Sequence, residues 1–467
     1  MSDRSGPRLV ILAAGRGTRM VSSRPKALHP VGGVPMIEHL LRLGTEISVL
    51  PPLVVTSPEQ GELARYLEGR AEVVHQAEPL GSGDALLRAR PHLEGGGPFI
   101  VVPVDMPLVT AKTLGRLWAA SSAGGEHGVL LTAFTESPQG YGQVLRDAAG
   151  ELVGIVEWAD QPAPVGRVEV SCGVYVFPQP GVWTALDQVT ADNSQGERYL
   201  SWAPALLSGG CRTVELSDPV EMLQVNDRVQ LAAAEAAMRE RTLVRLMRQG
   251  VTVRDPASTW VDCDVEAGAD TVIEPATVLR GRVRVGRECI LGPFAELTDC
   301  EVGDRCQVER SQLRSCRLAD SVYVGPFNRV RPGTELREGS HLGTFTELVR
   351  STVGPGSQVP HLSYIGDARL GADVNIGAGS ITANWDGLAK HHTVVEDGAR
   401  IGSETVLVAP VTVGRRGYTG AGSVITQDVP PGALAVSRGR QRNLEGWVER
   451  HRAGARPVAE VQAEEPE

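Results

Sequence analysis

Little in this chain suits a membrane, a nucleic acid or a disulfide scaffold. No apolar run reaches the roughly 20 residues that a membrane-spanning helix needs, and the opening MSDRSGPRLVILAAG lacks the layout of a signal peptide. A cytoplasmic protein with no membrane partner is expected. Basic residues are outnumbered, and the net charge of −10 argues against the cationic surface that nucleic-acid phosphates require. The seven cysteines are odd in number and form no CxxC, which argues against both a disulfide framework and a zinc site. Cys300 and Cys306 are separated by six positions and read as small packing residues. Aromatics are scarce, at 4%, whereas there are 54 glycines and 31 prolines, a balance that favours turn-rich β structure. At 467 residues the chain is long enough for more than one core.

What is present is a period. Across 251–435 an aliphatic residue recurs at every sixth position: Ile273, Leu279, Val285, Leu291 and Leu297, then Leu318, Val324, Val330, Leu336, Leu342 and Leu348. Val353, Val359 and Ile365 continue it, as do Leu370 and Ile376, then Ile401, Leu407, Val413 and Ile425, with Thr419 in the one gap. Glycine often follows, as in Val324-Gly325 and Ile376-Gly377. Neither a helix, near 3.6 residues per turn, nor an alternating strand repeats in this way. Three short sides per coil do, each with one inward aliphatic and a small residue at the corner. Such hexapeptide periods mark a parallel β-helix, whose coils bury one another's faces.

Ahead of the repeats, Arg8–Leu12 reads as a buried strand running into Ala13-Ala14-Gly15-Arg16-Gly17-Thr18-Arg19-Met20. Strand, glycine-rich loop and helix together let backbone N–H groups face a phosphate. Gly15-x-Gly17 alone is a weak signal, because the third glycine of a dinucleotide fingerprint is missing and such loops also serve as tight turns. Arg19 and the Lys26 of Pro25-Lys26-Ala27-Leu28 place two cations close behind it. A second polar loop runs from Gln76 through Gly81 and Ser82 to Ala85. Residues 99–104 read as a strand ending in Asp105. A carboxylate there sits where α/β sheets bind ligands and can hold Mg²⁺, or it is a turn or capping residue. Residues 229–249 read as one long helix stopped by Gly250.

Within the solenoid the period breaks at Asn384-Trp385-Asp386-Gly387-Leu388-Ala389-Lys390-His391-His392, an insertion of the kind that carries binding function. His361, just upstream in HLSYIGD, has the side chain best suited to act as a base near neutral pH, although a lone histidine is more often structural. His391 and His392 are adjacent and would point to opposite faces of a strand, so they make a weak metal pair.

LAAGRGTRM, PKALH, QAEPLGSGDA and the strand ending in Asp105 resemble, in order and spacing, sugar-1-phosphate nucleotidyltransferases. Gly140-Tyr141-Gly142, Ile155-Val156-Glu157, Asn193-Ser194-Gln195-Gly196-Glu197 and Val225-Asn226-Asp227-Arg228 narrow the likeness. From about Arg8 to Trp447 the chain is similar to the bifunctional N-acetylglucosamine-1-phosphate uridyltransferases/glucosamine-1-phosphate N-acetyltransferases.

The resemblance implies an α/β Rossmann-like nucleotidyltransferase domain over 1–228, a linker helix over 229–250 and a left-handed parallel β-helix over 251–447. Residues 448–467, rich in Ala, Pro and Glu, are expected to be disordered. The implied substrates are glucosamine 1-phosphate, acetyl-CoA, N-acetylglucosamine 1-phosphate and UTP, with Mg²⁺ held by Asp105 and Asn226. Leu12, Ala13, Ala14, Gly15, Gln76, Gly81 and Ser82 would frame the nucleotide, Arg19 and Lys26 its phosphates, and Gly140, Glu157 and Ser171 the sugar. In the solenoid, His361 would be the base. Arg331, Tyr364, Asn375 and Lys390 would bind the sugar phosphate, and Asn384, Trp385, Ser403, Ala421 and Arg438 would line the acetyl-CoA site. The resemblance also implies a homotrimer.

The chain departs from the family pattern at Val104 (Gly in the family), Gln143 (Arg), Ser171 (Asn), Gln224 (Gly), Val349 (Lys) and Trp385 (Tyr). Ser171 shortens the arm that would read an N-acetyl group, and Val349 removes a phosphate-binding cation, with Arg350 adjacent. Two alternatives stay in view. One is a nucleotidyltransferase/acetyltransferase for a glucose- or galactosamine-type sugar 1-phosphate. The other is a solenoid scaffold with a vestigial nucleotidyltransferase domain, which the intact Asp105, Asn226, Lys26 and His361 oppose.

Overall fold

The computed structural model describes residues 6–122, 127–160 and 166–452 and falls into two compact units, Met1–Arg305 and Cys306–Glu467. Among the described residues no helix is long and apolar enough to cross a membrane.

The first unit is built on a twisted sheet. Its strands run in the order Cys211–Glu215, Gly128–Thr135, Val168–Phe177, Phe99–Pro103, Arg8–Leu12, Leu53–Thr56 and Glu72–His75. Arg8–Leu12 lies parallel to both Phe99–Pro103 and Leu53–Thr56, while Val168–Phe177 runs antiparallel to its neighbours. Both faces are covered, and the strand residues alternate accordingly. Leu9, Ile11, Ile100 and Val102 pack against the helices Met36–Ile47 and Ala111–Ser122. Val10, Phe99 and Val101 face the other way, against Ser82–Leu93 and Gly181–Gln188. This two-sided burial is why the strands are continuous apolar runs. The fold class expected from the sequence is the one observed.

Three chain segments leave the sheet side by side. The N–H groups of Ala13, Val104 and Gln76 donate to Val55, Leu12 and Thr56 respectively, so the loops that follow all start at the carboxyl edge, where open α/β sheets bind ligands. The long helix runs from Arg228 to Arg248, capped by the Asp227 carboxylate on the N–H of Gln230. Gly250, in left-handed backbone (φ 95°), turns the chain at its end. After it come the first coils, in which Val253, Ile273 and Leu291 pair in parallel, as do Val261, Leu279 and Leu297, and Ala267, Val285 and Val302.

The second unit has the same three-sided, parallel construction of a left-handed β-helix. Leu342 pairs with Val359, Leu348 with Ile365, and Val353 with Leu370, one on each side of the prism. Every position of the hexapeptide period is buried, Thr419 included, and Thr382 fills the slot the period leaves open. Sides are of unequal length: Leu342 to Leu348 is six residues, Leu348 to Val353 only five.

The glycine after the inward aliphatic has a different role from the corner residue expected. A Cβ on Gly343 would lie 1.9 Å from the Pro360 carbonyl oxygen, and one on Gly377 would lie 2.4 Å from the Ser403 nitrogen. Successive coils approach too closely there for any side chain. The left-handed corner itself falls two residues later, on Phe345, Leu362 and Glu404. Trp447–Arg452 is a short helix, and the rest of the tail, 453–467, lies outside the described residues.

Candidate active sites

At the carboxyl edge of the sheet, Lys26 reaches into the loop that follows Phe99–Pro103. Its Nζ donates to Asp105 Oδ2 at 2.7 Å and to Asn226 Oδ1 at 2.8 Å, and Arg19 Nη2 donates to the same Asn226 oxygen at 3.1 Å. Asp105 and Asn226 are brought together by backbone, since the Val225 N–H donates to the Asp105 carbonyl at 2.9 Å. Gln230 steadies Asn226 by accepting from its N–H at 2.7 Å while its own N–H donates to the Asp227 carboxylate. The other carboxylate oxygen, Asp105 Oδ1, is buried with no hydrogen-bond partner. An unpaired buried carboxylate oxygen is costly unless a cation meets it. One carboxylate and one amide oxygen, both hard donors, suit Mg²⁺.

Beside this cluster is a cleft of about 230 Å³ lined by Leu12, Ala14, Gly15, Gln76, Gly81 and Ser82, together with Glu197. Gln76 uses its side-chain NH₂ on the Gly81 carbonyl (3.0 Å) and on Asp84 (2.8 Å), which leaves its oxygen as the acceptor for a ligand. Gly81 and Gly83 are required because the backbone of Arg198 passes against both, 2.5 Å and 2.9 Å from where a Cβ would stand. Ala13 is buried behind the loop. Burial raises the carboxyl pKa of Glu197.

A third group lies on the antiparallel side of the sheet. Ser171, buried at a register break in its strand, donates its N–H to the Gly142 carbonyl at 2.8 Å. Glu157 accepts from the Ser201 hydroxyl at 2.5 Å, and burial holds its carboxyl above the ordinary range. Gly140 is exposed, with left-handed backbone and open space around it.

In the second unit most of the sequence-predicted residues fall on or beside two corners, with Asn375 on a side and Lys390 in the inserted hairpin. His361, Ser403 and Ala421 occupy the same corner in different coils, each two residues beyond an inward slot at Val359, Ile401 and Thr419. Arg438 joins this row by donating to the Ala421 carbonyl at 2.9 Å. Tyr364 and Asn384 lie together at the next corner, where both side chains crowd the position a Cβ of Gly366 would take. Arg331 is on that same side and pairs with Glu347 at 3.2 Å. Asn375 stands apart on the preceding side, between Gln358 and Arg400. The insertion is a tight hairpin: Trp385 bridges to Lys390, and the Asp386 carboxylate accepts from the N–H groups of Leu388 and Ala389 and from His391 Nε2 at 2.6 Å. His391 is therefore committed to Asp386, whose carboxyl those bonds, led by that of Ala389, hold well below the usual range.

Residues 9–208 match the MobA-like NTP transferase domain. Over almost its full length the chain is similar to proteins named bifunctional protein GlmU. The Heliobacterium modesticaldum protein is 44% identical, covering 96% of this chain and 98% of the relative. That of Mycolicibacterium gilvum is 43% identical over 99% and 95%, and that of Mycobacterium tuberculosis 42% identical over 97% and 94%. The chain belongs to the bifunctional GlmU family. Both alternatives, another sugar 1-phosphate and a vestigial scaffold, are disfavoured by a GlmU likeness that spans both halves of the chain.

Three features of this GlmU-family chain escaped the site reading of its sequence. Glu197 lines the cleft and Asp84 orients Gln76, although both lie in motifs the sequence had singled out. Arg350 and Asp367 form a bidentate pair under Asn384. Counting one coil back from Asn384, and then another, finds both.

Proposed function

We propose that the chain makes UDP-N-acetylglucosamine in two steps: acetyl transfer from acetyl-CoA to glucosamine 1-phosphate on the solenoid, then UMP transfer from UTP to the N-acetylated product at the sheet edge. The observation that carries the second step is the convergence of Lys26, Asp105 and Asn226 around a buried carboxylate oxygen without a partner. Asp105 and Asn226 would hold Mg²⁺, which when bound would neutralise phosphate charge. Lys26 and Arg19 exchange their bonds to Asn226 for phosphate oxygens, which frees the amide oxygen. The cleft at Gln76 takes the base, with Glu157 and Ser171 toward the sugar. A phosphate oxygen of the sugar attacks the α-phosphorus and pyrophosphate leaves; the protein positions the partners and balances charge.

For the first step, His361 accepts the proton from the substrate ammonium. The amine nitrogen then attacks the thioester carbonyl, the C–S bond breaks, and the departing sulfur takes the second proton shed by the nitrogen, so CoA leaves as the thiol. Arg331, Tyr364, Asn375 and Lys390 hold the sugar phosphate, while Asn384, Trp385, Ser403, Ala421 and Arg438 hold acetyl-CoA. Their spread over two corners, a side and the inserted hairpin supports a homotrimer, in which a neighbouring copy completes each site. Phe327, Phe345 and Leu362 add to this, because they form an exposed apolar row along the His361 corner, the two rings stacked at 5.1 Å. The location proposed is the cytoplasm.

The test is to incubate purified protein with acetyl-CoA, UTP, Mg²⁺ and a panel of sugar phosphates, identifying products by mass. Glucosamine 1-phosphate should yield UDP-N-acetylglucosamine, and preferential turnover of a glucose or galactosamine phosphate would overturn the assignment.

A further inference from the structure

At the corner following Leu348, Ile365 and Thr382, three successive coils stack Arg350, Asp367 and Asn384, each 17 residues from the next. Arg350 meets the Asp367 carboxylate through two parallel bonds, of 2.6 Å and 2.8 Å. Asn384 Nδ2 donates to the same carboxylate at 2.5 Å. Asp367 is 3% exposed and Asn384 8%. The Asp367 carbonyl also accepts the N–H of Thr393 at 3.1 Å, the first strand residue after the inserted hairpin. One residue thus fastens both ends of the insertion, by side chain at Asn384 and by backbone at Thr393.

The ladder dictates a polarity. Arg350, with Asn384 adding to it, holds the Asp367 carboxyl below the usual range, so this group is an ionised, acceptor-only partner. Asn384 must turn its NH₂ toward Asp367 and its oxygen away. The next position up the corner is Ala409, which has no polar side chain to take that oxygen.

We infer that Asp367 is a positioning residue for acetyl transfer: it locks the Asn384 amide so that its oxygen is presented to an N–H donor of the substrates. That donor is either the amine of the amino sugar or an amide N–H of the pantetheine arm of acetyl-CoA. The inference rests on the acetyltransferase reading above.

Asp367→Asn tests it in the full-length protein. Arg350 claims the oxygen of the new amide, whose NH₂ then faces Asn384 and forces it to turn its own NH₂ outward. Asp367 Oδ2 accepts from both Arg350 Nη2 and Asn384, so an amide nitrogen there gives up one Arg350 bond and lowers the melting temperature. The bond to Asn384 is kept and the presented polarity inverts. The KM of one substrate should rise about tenfold, the size of one lost hydrogen bond. A rise for the sugar phosphate identifies the amine, and a rise for acetyl-CoA the pantetheine arm. Adding Asn384→Asp returns an oxygen to the outward position and should restore that KM. If Asp367→Asn fails to fold, Asn384→Ala, which keeps the Arg350–Asp367 pair, should show the same KM rise. Unchanged KM values, no rescue in the double variant, or activity lost only in step with melting temperature would overturn the inference. Wild-type protein that acetylates no amino sugar overturns the functional reading itself, and this inference with it.

Discussion

Lys26 Nζ lies 2.7 Å from Asp105 Oδ2, and the second oxygen of that carboxylate is buried with nothing to bond to. If Asp105 holds Mg²⁺ as proposed, the ammonium stays on one oxygen and the metal takes the other. Asp105→Ala should abolish uridylyl transfer while leaving acetyl transfer nearly unchanged. Chelation should do the same to wild type, reversibly on adding Mg²⁺. Loss of both activities in a folded Asp105→Ala variant would contradict two separate sites.

His361→Ala should lower acetyl-transfer kcat by about 10²–10⁴-fold, the usual range for a positioned base. Acetyl-CoA affinity and uridylyl transfer from supplied N-acetylglucosamine 1-phosphate should persist. A stable variant that keeps more than about a tenth of wild-type kcat would remove His361 from the mechanism.

Glu157 gives a pH signature. Burial raises its carboxyl pKa in the folded state, so the folded protein binds that proton more tightly than the unfolded chain does. Its contribution favours folding at low pH and is lost as pH rises from the ordinary carboxylate value through the raised one. Glu157→Gln is neutral throughout and escapes this loss. The melting temperature of the variant relative to wild type should climb as pH rises from the ordinary carboxylate value through the raised one and then level off. A flat difference would show that the carboxyl is not strained by burial.

Leu342→Ala should destabilise the solenoid by roughly 2–5 kcal/mol, as expected for a fully buried leucine, read by denaturant melts. Gly343→Ala should also destabilise it, although it adds only a methyl group, because Pro360 O stands 1.9 Å from the added carbon. A neutral Gly343→Ala would mean that the coils can separate there.

Much of this was legible because a hexapeptide slot is a local pattern with one physical meaning, and every slot from Ile273 to Ile425 is buried. The strand Arg8–Leu12 and the helix Arg228–Arg248 were visible for similar reasons, as an uninterrupted apolar run and a stretch free of helix breakers. The steric reason for Gly343 was not, since closeness of neighbouring coils leaves no mark in the residue's own vicinity. Asp367 went unassigned because its partners, Arg350 and Asn384, stand a full coil away on either side. Asp84 and Glu197 needed the fold itself, which carries the Arg198 backbone past Gly81.

The unequal sides of the prism bear on how the gene can change length. Where Leu348 to Val353 spans five residues and Leu342 to Leu348 six, both ends still find their inward slots, so a codon gained or lost at a corner leaves the downstream phase intact. Within a two-residue strand the same event would turn a buried side chain to solvent. In-frame length variation among natural variants should therefore collect at corners, and the hairpin between Ala383 and Thr393 marks a corner where the added codons were kept.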